Sequence, residues 1–267
     1  MTRVSFLSLM VVMAVDSGWL GAEEPVKSQW QGFDRLDFQV AGRKSWLVVP
    51  KVAAAGKPWI WRTEFFGHEP QADLALLAKG WHVAYTTMTN QYGAPIATDH
   101  MRVFHDEMMK AYQLNAKVVL EGFSRGGLFA LNYAALNPDR VAGLYLDAPV
   151  CDFKSWPAGW GTGKGSPGDW TRCKEVYGLK DDAAAKAYAL NPIDNLAPLA
   201  KAKIAILAVV GDADKVVPLA ENAALVKQRY EALGGAMEMI VKAGVDHHPH
   251  SLKDPAPIVD FLLKHAP

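Results

Sequence analysis

The chain has 267 residues, half of them hydrophobic and 21% charged, a globular composition that excludes a disordered or low-complexity protein. Lys plus Arg and Asp plus Glu each number 28, for a formal net charge of zero, which argues against a nucleic-acid partner and against charge-steered membrane binding. The length is enough for one large domain or two small ones with a sizeable core.

Arg3, an apolar run from Val4 to Val15, and Leu20-Gly21-Ala22 ahead of Glu23-Glu24-Pro25 have the layout of a secretory signal peptide. The run is shorter than the roughly 20 apolar residues a spanning helix needs; a buried N-terminal helix or an anchor is the competing reading. The expectation is a signal peptide over 1–22 and a mature domain over 23–267. That domain would be secreted or periplasmic, without stable membrane association. In an oxidising compartment Cys151 and Cys173, the two cysteines of the chain, are expected to bridge, stabilising the fold by roughly 3 kcal/mol; two buried free thiols are the alternative.

Strand and helix patterns then alternate. Phe33 to Val40 and Ser45 to Val49 read as a hairpin about Ala41-Gly42, and Trp59-Ile60-Trp61 opens a third strand. Asp73 to Ala78 is a short helix stopped by Gly80, and His82 to Thr87 a strand. Met101, Phe104, Met108 and Tyr112 give Ala97 to Gln113 helical spacing. Lys117 to Leu120 is a buried strand, Leu128 to Leu136 a helix ended by Asn137-Pro138, and Val141 to Leu146 a strand. Further on come Ile204 to Val210 (strand), Leu219 to Leu233 (helix), Met237 to Val241 (strand) and Ile258 to His265 (helix). Such alternation predicts an α/β fold with a mostly parallel sheet and helices on both faces.

Residues 151 to about 200 break the rhythm. The segment is rich in Gly, Pro and Trp, with a helix expected over Asp181 to Leu190, and its aromatics Trp156, Trp160, Trp170 and Tyr177 suggest a lid inserted between strands. Gly163 to Gly168 matches GxGxxG only formally. No strand precedes it, and Pro167 is taken to oppose a helix start, so nucleotide binding is not expected.

The chemistry centres on Gly122-Phe123-Ser124-Arg125-Gly126, a GxSxG pentapeptide between a strand and a helix. A sharp strand-to-helix turn strains the serine, admits only small residues two positions either side, and leaves the Arg125 N–H at a helix N-terminus, ready to stabilise an oxyanion. A serine nucleophile needs a base, and the base an orienting acid. Gly211-Asp212-Ala213-Asp214 follows one strand, and Gly244-Val245-Asp246-His247-His248-Pro249-His250 another. Asp212 and Asp147 compete with Asp214, and His248 and His250 with His247. A His-x-His metal site is not expected, since neither Cys nor a carboxylate pattern accompanies the imidazoles.

The order Ser, Asp, His, each just past a strand, resembles the α/β-hydrolase superfamily. GFSRGG resembles its nucleophile elbow, GDADKVVP its acid turn and GVDHHPH its histidine loop. The resemblance implies Ser124 as nucleophile, Asp214 as orienting acid and His247 as base, in an acyl-enzyme mechanism that uses no metal or organic cofactor. Oxyanion donors would be the backbone N–H groups of Arg125 and of Glu64, with Phe65 a rival, in a loop where many relatives carry His-Gly. The Ser-Arg pair at the elbow is also similar to glucuronoyl esterases, though the lysine that follows there is missing. Tyr92, Asp152 and Trp156 are expected to border the pocket. The first reading is an esterase acting on a small-molecule or carbohydrate ester. The second is a peptidase resembling the catalytic domain of prolyl oligopeptidases, and the third a non-catalytic binding module, against which three matching triad positions argue.

Overall fold

In the computed structural model, which describes residues 24–265, the apolar runs pair into one nine-stranded sheet. The strands are β1 (Val26–Trp30), β2 (Phe33–Val40), β3 (Arg43–Val49), β4 (Trp59–Arg62), β5 (His82–Thr86), β6 (Val118–Phe123), β7 (Val141–Asp147), β8 (Ala205–Gly211) and β9 (Met237–Lys242). Their order is β1-β2-β3-β5-β4-β6-β7-β8-β9. The first three strands form an antiparallel meander docked on β5, and from β5 to β9 the sheet is parallel. β4, β6 and β8 are buried throughout, as central strands covered on both faces must be.

The helices are α1 (Gln71–Ala78), α2 (Pro95–Tyr112), α3 (Gly126–Leu136), α4 (Pro167–Tyr177), α5 (Asp182–Ala187), α6 (Ala197–Lys201), α7 (Ala223–Ala232) and α8 (Ala256–His265). One face of the sheet is covered through Met101, Phe104 and Met108 of α2, Phe129 and Tyr133 of α3, and Val226 and Tyr230 of α7. The other is covered through Leu76 and Leu77 of α1 and Ile258, Phe261 and Leu262 of α8. The family of crossovers puts every βα loop at one edge of the parallel strands, the edge where α/β sheets present their binding residues.

The expected strands and helices between residues 33 and 265 are present apart from local differences. β1 escaped notice because it is an edge strand with little burial, so no apolar alternation marks it. The helix expected from Leu219 to Leu233 is instead a 3-10 turn over Leu219–Glu221 and then α7. The break at Asn222 has a cause: its side chain accepts from the Cys151 N–H at 2.9 Å and donates to Ser155 Oγ at 3.0 Å and Pro218 O at 3.1 Å. The helix expected over Asp181 to Leu190 shortens to α5, capped by Asp181 accepting from Ala184 N–H at 2.7 Å.

Pro167 does not oppose a helix; it begins α4, which runs to a left-handed Gly178. Proline suits the first turn because its φ is preset and the N–H it lacks has no partner there. The segment between β7 and β8 is therefore largely ordered structure. Phe153, Trp170 and Cys173 pack with Tyr92, Leu128, Val150 and Val217 into a small core of their own. The expected disulfide is not formed. Both thiols are free and buried: Cys151 lies in the main core and Cys173 on the inner face of α4. The Asn222 bond holds the Cys151 backbone towards α7, and the Cys151 Sγ donates to Pro149 O at 3.5 Å. The expected signal peptide lies outside the described residues. Among the described residues no helix is long and apolar enough to cross a membrane.

Candidate active site

Ser124 stands between β6 and α3 with φ of +48°, a left-handed conformation costing a non-glycine residue about 1–3 kcal/mol. Three backbone bonds hold it there. Its N–H donates to Asp147 O at 2.9 Å, and its carbonyl accepts from Gly127 N–H at 3.0 Å and Val150 N–H at 2.8 Å. The flanking glycines are required by space: a Cβ on Gly122 would lie 2.9 Å from Gly126 O, and one on Gly126 2.9 Å from Thr63 Oγ1.

Asp214 and His247 come from the loops after β8 and β9. Gly211 lets those loops touch, since a Cβ there would meet Val245 O at 2.1 Å. Asp246 Oδ1 stitches them, accepting from Lys215 N–H at 2.9 Å and His247 N–H at 2.8 Å. Those two bonds hold the Asp246 carboxyl below its ordinary pKa. Asp214 Oδ1 accepts from the Val216 and Val217 N–H groups, each at 2.8 Å. Asp214 Oδ2 lies 2.7 Å from His247 Nδ1, and His247 Nε2 lies 3.0 Å from Ser124 Oγ. A carboxylate only accepts, so Nδ1 carries the proton and Nε2 accepts from the serine hydroxyl. Asp214 and His247 are buried and Ser124 is half-buried. The arrangement can remove a proton from the hydroxyl as it attacks an electrophile.

The competing residues are committed elsewhere. Asp212 Oδ1 accepts from Gly244 N–H at 2.6 Å. Asp147 accepts from His250 Nδ1–H at 2.7 Å, Ser251 N–H at 2.8 Å and Tyr145 OH at 3.0 Å. His248 is exposed.

The loop after β4 lies against the elbow: a Cβ on Gly126 would be 3.7 Å from Glu64 N. Phe65 follows with φ of +55°. The Arg125 side chain arches over this loop, bonded to Glu64 Oε2 (Nη2 at 3.2 Å) and Asn90 Oδ1 (Nη1 at 3.3 Å). Its guanidinium carbon lies 5.3 Å from the Phe65 ring centre and 5.6 Å from that of Tyr92. Burial raises the Glu64 carboxyl pKa against the opposing pull of Arg125. Tyr92 is buried, donates to Asp169 Oδ1 at 2.5 Å, and lies 6.3 Å from the half-buried Trp156 ring. Tyr92 thus joins Arg125, and Trp156 joins the group only through Tyr92. Asp152 does not: it lines a separate cleft of about 440 Å³ with Ser155, Trp160 and Glu221, in which no triad position takes part. Beneath the site, fully buried Arg62 bridges Asp73 at 2.9 Å and Glu121 at 3.4 Å, and burial keeps the Glu121 carboxyl well above its usual pKa.

Sequence reasoning did not pick out Asp246, Asn90 or Asp169. Asp246 stood in view within the histidine loop, but its contact with Lys215 N–H spans the whole β8–α7–β9 crossover. Nothing local marks Asn90, or Asp169 whose Oδ1 lies 3.7 Å from Arg125 Nη1, as partners of Arg125.

Residues 86–173 match the family model described as the alpha/beta hydrolase fold. No curated protein matches the sequence significantly. Among solved structures, the chain resembles acylaminoacyl peptidase of Pyrococcus horikoshii, at 14% identity over 92% of this chain and 42% of that one, with a TM-score of 0.65. It resembles dipeptidyl peptidase 4 of Porphyromonas gingivalis at 14% identity, over 91% and 36% of the two chains, with a TM-score of 0.65. An S-formylglutathione hydrolase of Agrobacterium tumefaciens matches at 14% identity over 90% of this chain and 95% of its own, with a TM-score of 0.61. The chain spans less than half the length of both peptidases. The family match over 86–173 and these structural likenesses agree on the fold: the chain has the α/β-hydrolase fold.

Proposed function

We propose that the chain is a serine hydrolase of carboxylic esters, acting as an exported protein, with carbohydrate-linked esters in its substrate range. The observation that carries this reading is the continuous relay from Asp214 through His247 to Ser124, at 2.7 and 3.0 Å. Ser124 Oγ attacks the ester carbonyl while His247 Nε2 takes its proton, and Asp214 balances the charge on the imidazolium. The N–H groups of Arg125 and Glu64 hold the oxyanion, the first at the start of α3 and the second from the loop after β4. His247 then protonates the leaving alcohol. Water activated by the same ring hydrolyses the acyl-enzyme, so side chains and water carry every step. Tyr92 borders the acyl or alcohol side through its place beside Arg125, and Trp156 through its place beside Tyr92. Of the inserted segment's three tryptophans, Trp170 is buried, Trp160 exposed and Trp156 half-buried, which leaves the latter two as indole rings for contact with a sugar.

Esters are favoured over amides because the S-formylglutathione hydrolase is matched over nearly its whole length, the peptidases over less than half of theirs. The peptidase neighbours support the second reading, an exo- or oligopeptidase. The test is turnover of p-nitrophenyl acetate, acetylated sugars and aminoacyl-nitroanilides by the protein and by Ser124→Ala. The expected result is ester turnover lowered about 10⁴-fold or more in the variant. Equal turnover by both would remove Ser124 as nucleophile, and amide cleavage without ester preference would establish the peptidase.

A further inference from the structure

Three imidazoles from two loops meet beside the relay. His68 lies between β4 and α1, and His248 and His250 lie between β9 and α8. One ring nitrogen from each falls within 4.8 Å of the others, with ring centres 6.1, 5.7 and 4.7 Å apart. His250 is buried and gives its Nδ1 proton to Asp147 Oδ1 at 2.7 Å, which leaves the Nε2 lone pair as its ligand atom. A carboxylate behind the far nitrogen is what fixes the ring and tautomer of a metal-binding histidine. Here that carboxylate is itself fixed by Tyr145 OH and Ser251 N–H. His68 and His248 are exposed and free to close on an ion. Burial, and the neighbouring imidazoles next, lower the pKa of both.

We propose that His68, His248 and His250 form a site for a divalent transition-metal ion, Zn²⁺ foremost, with water in the remaining position. Three neutral imidazoles suit zinc, copper and nickel rather than calcium or magnesium. Zn–N bonds of about 2.0–2.1 Å place tetrahedral ligand nitrogens about 3.3 Å apart, a closure the two exposed rings make by side-chain rotation around the fixed His250. His247 is not a ligand, since both its nitrogens are engaged. The ion would tie the loop carrying Glu64 to the loop carrying His247. The rings of His248 and His250 lie 5.0 and 4.9 Å from that of His247. A bound dication there opposes the positive charge His247 acquires during ester cleavage, so the ion inhibits. The inhibition rests on the hydrolase reading; the binding does not.

The test is calorimetric titration of the chelator-treated protein with Zn²⁺, together with Co²⁺ absorption, on the wild type, Ser124→Ala, His68→Ala, His248→Ala and the double histidine variant. The wild type and Ser124→Ala should bind one ion alike, with the visible bands of a four- or five-coordinate Co²⁺ centre. Each single histidine variant should bind at least about tenfold more weakly, and the double variant not at all. Unchanged affinity in both single variants, or no heat and no bands at millimolar ion, would overturn the site. Saturating Zn²⁺ should lower ester turnover at least about tenfold, each 1.4 kcal/mol on the barrier being tenfold in rate; one ion bound with undiminished turnover would overturn the coupling to His247. Absence of turnover in the metal-free protein would remove the hydrolase reading and leave the calorimetry standing.

Discussion

Replacing Asp214 by Asn alters one atom, and the structure dictates which bond that atom breaks. Oδ1 of Asp214 accepts from two backbone N–H groups, those of Val216 and Val217, while Oδ2 faces His247 Nδ1. The Asn amide has one oxygen and one NH₂. Two 2.8 Å bonds to rigid backbone hold the oxygen on the Oδ1 side, so the NH₂ faces His247. An NH₂ donates, which obliges Nδ1 to accept and moves the imidazole proton to Nε2. Nε2–H then points at Ser124 Oγ from 3.0 Å and cannot take the hydroxyl proton. The loss expected from a wrong tautomer is about 10⁴-fold in kcat, or about 5.4 kcal/mol at about 1.36 kcal/mol per decade. Because the variant keeps its shape and its backbone bonds, the thermal midpoint should move little and KM should hold. The assay is steady-state hydrolysis of p-nitrophenyl acetate alongside thermal denaturation. A kcat within tenfold of the wild type, in a folded variant, would refute the tautomer argument and the role of Asp214 with it.

Two further outcomes are expected. His105 is buried, with Nε2–H donating to Ala116 O at 3.0 Å and Nδ1 accepting from Tyr133 OH at 2.9 Å, and burial pushes its pKa down to about 4. The unfolded chain binds that proton near pH 6.5, so the contribution is whole above about 6.5 and is lost as pH falls towards 4, to a total on the order of 3 kcal/mol. Urea unfolding at pH 7 and pH 4.5 should show the wild type losing about 2 kcal/mol more than His105→Gln, and equal losses would contradict it. Cys151 and Cys173 are both free, with burial raising both thiols. A thiol reagent should titrate neither in the native protein and both after denaturation, and dithiothreitol should leave the melting temperature unchanged; a reductant-dependent midpoint would restore the bridge.

Most of the fold was legible because its signals are local. A buried strand such as Ile204 to Val210 and an amphipathic helix such as α2 announce themselves in a dozen residues. The elbow was legible as a local pattern between a strand and a helix, although only Gly122 answers to crowding within the turn; Gly126 makes room for Thr63 of the loop after β4. The inserted segment was misread where a local rule was applied with the wrong sign. Pro167 opposes a helix interior but is suited to start one, and it begins α4. The disulfide was inferred from compartment and count, and nothing in those two facts says that Asn222 holds one cysteine's backbone away towards α7.

By itself the sequence determined the alternation of strands and helices, the strained serine, and three motifs in the order Ser, Asp, His. These rest on periodicity and turn chemistry, which act over a few residues. The tertiary structure alone decided which acid serves which histidine. It pairs Asp214 with His247 and Asp147 with His250, a choice fixed by how β7, β8 and β9 lie side by side. It also brought His68 to two imidazoles some 180 residues further along the chain. Side chains on separate crossovers meet only when the sheet fixes their loops at one edge, and no spacing in the sequence encodes that distance.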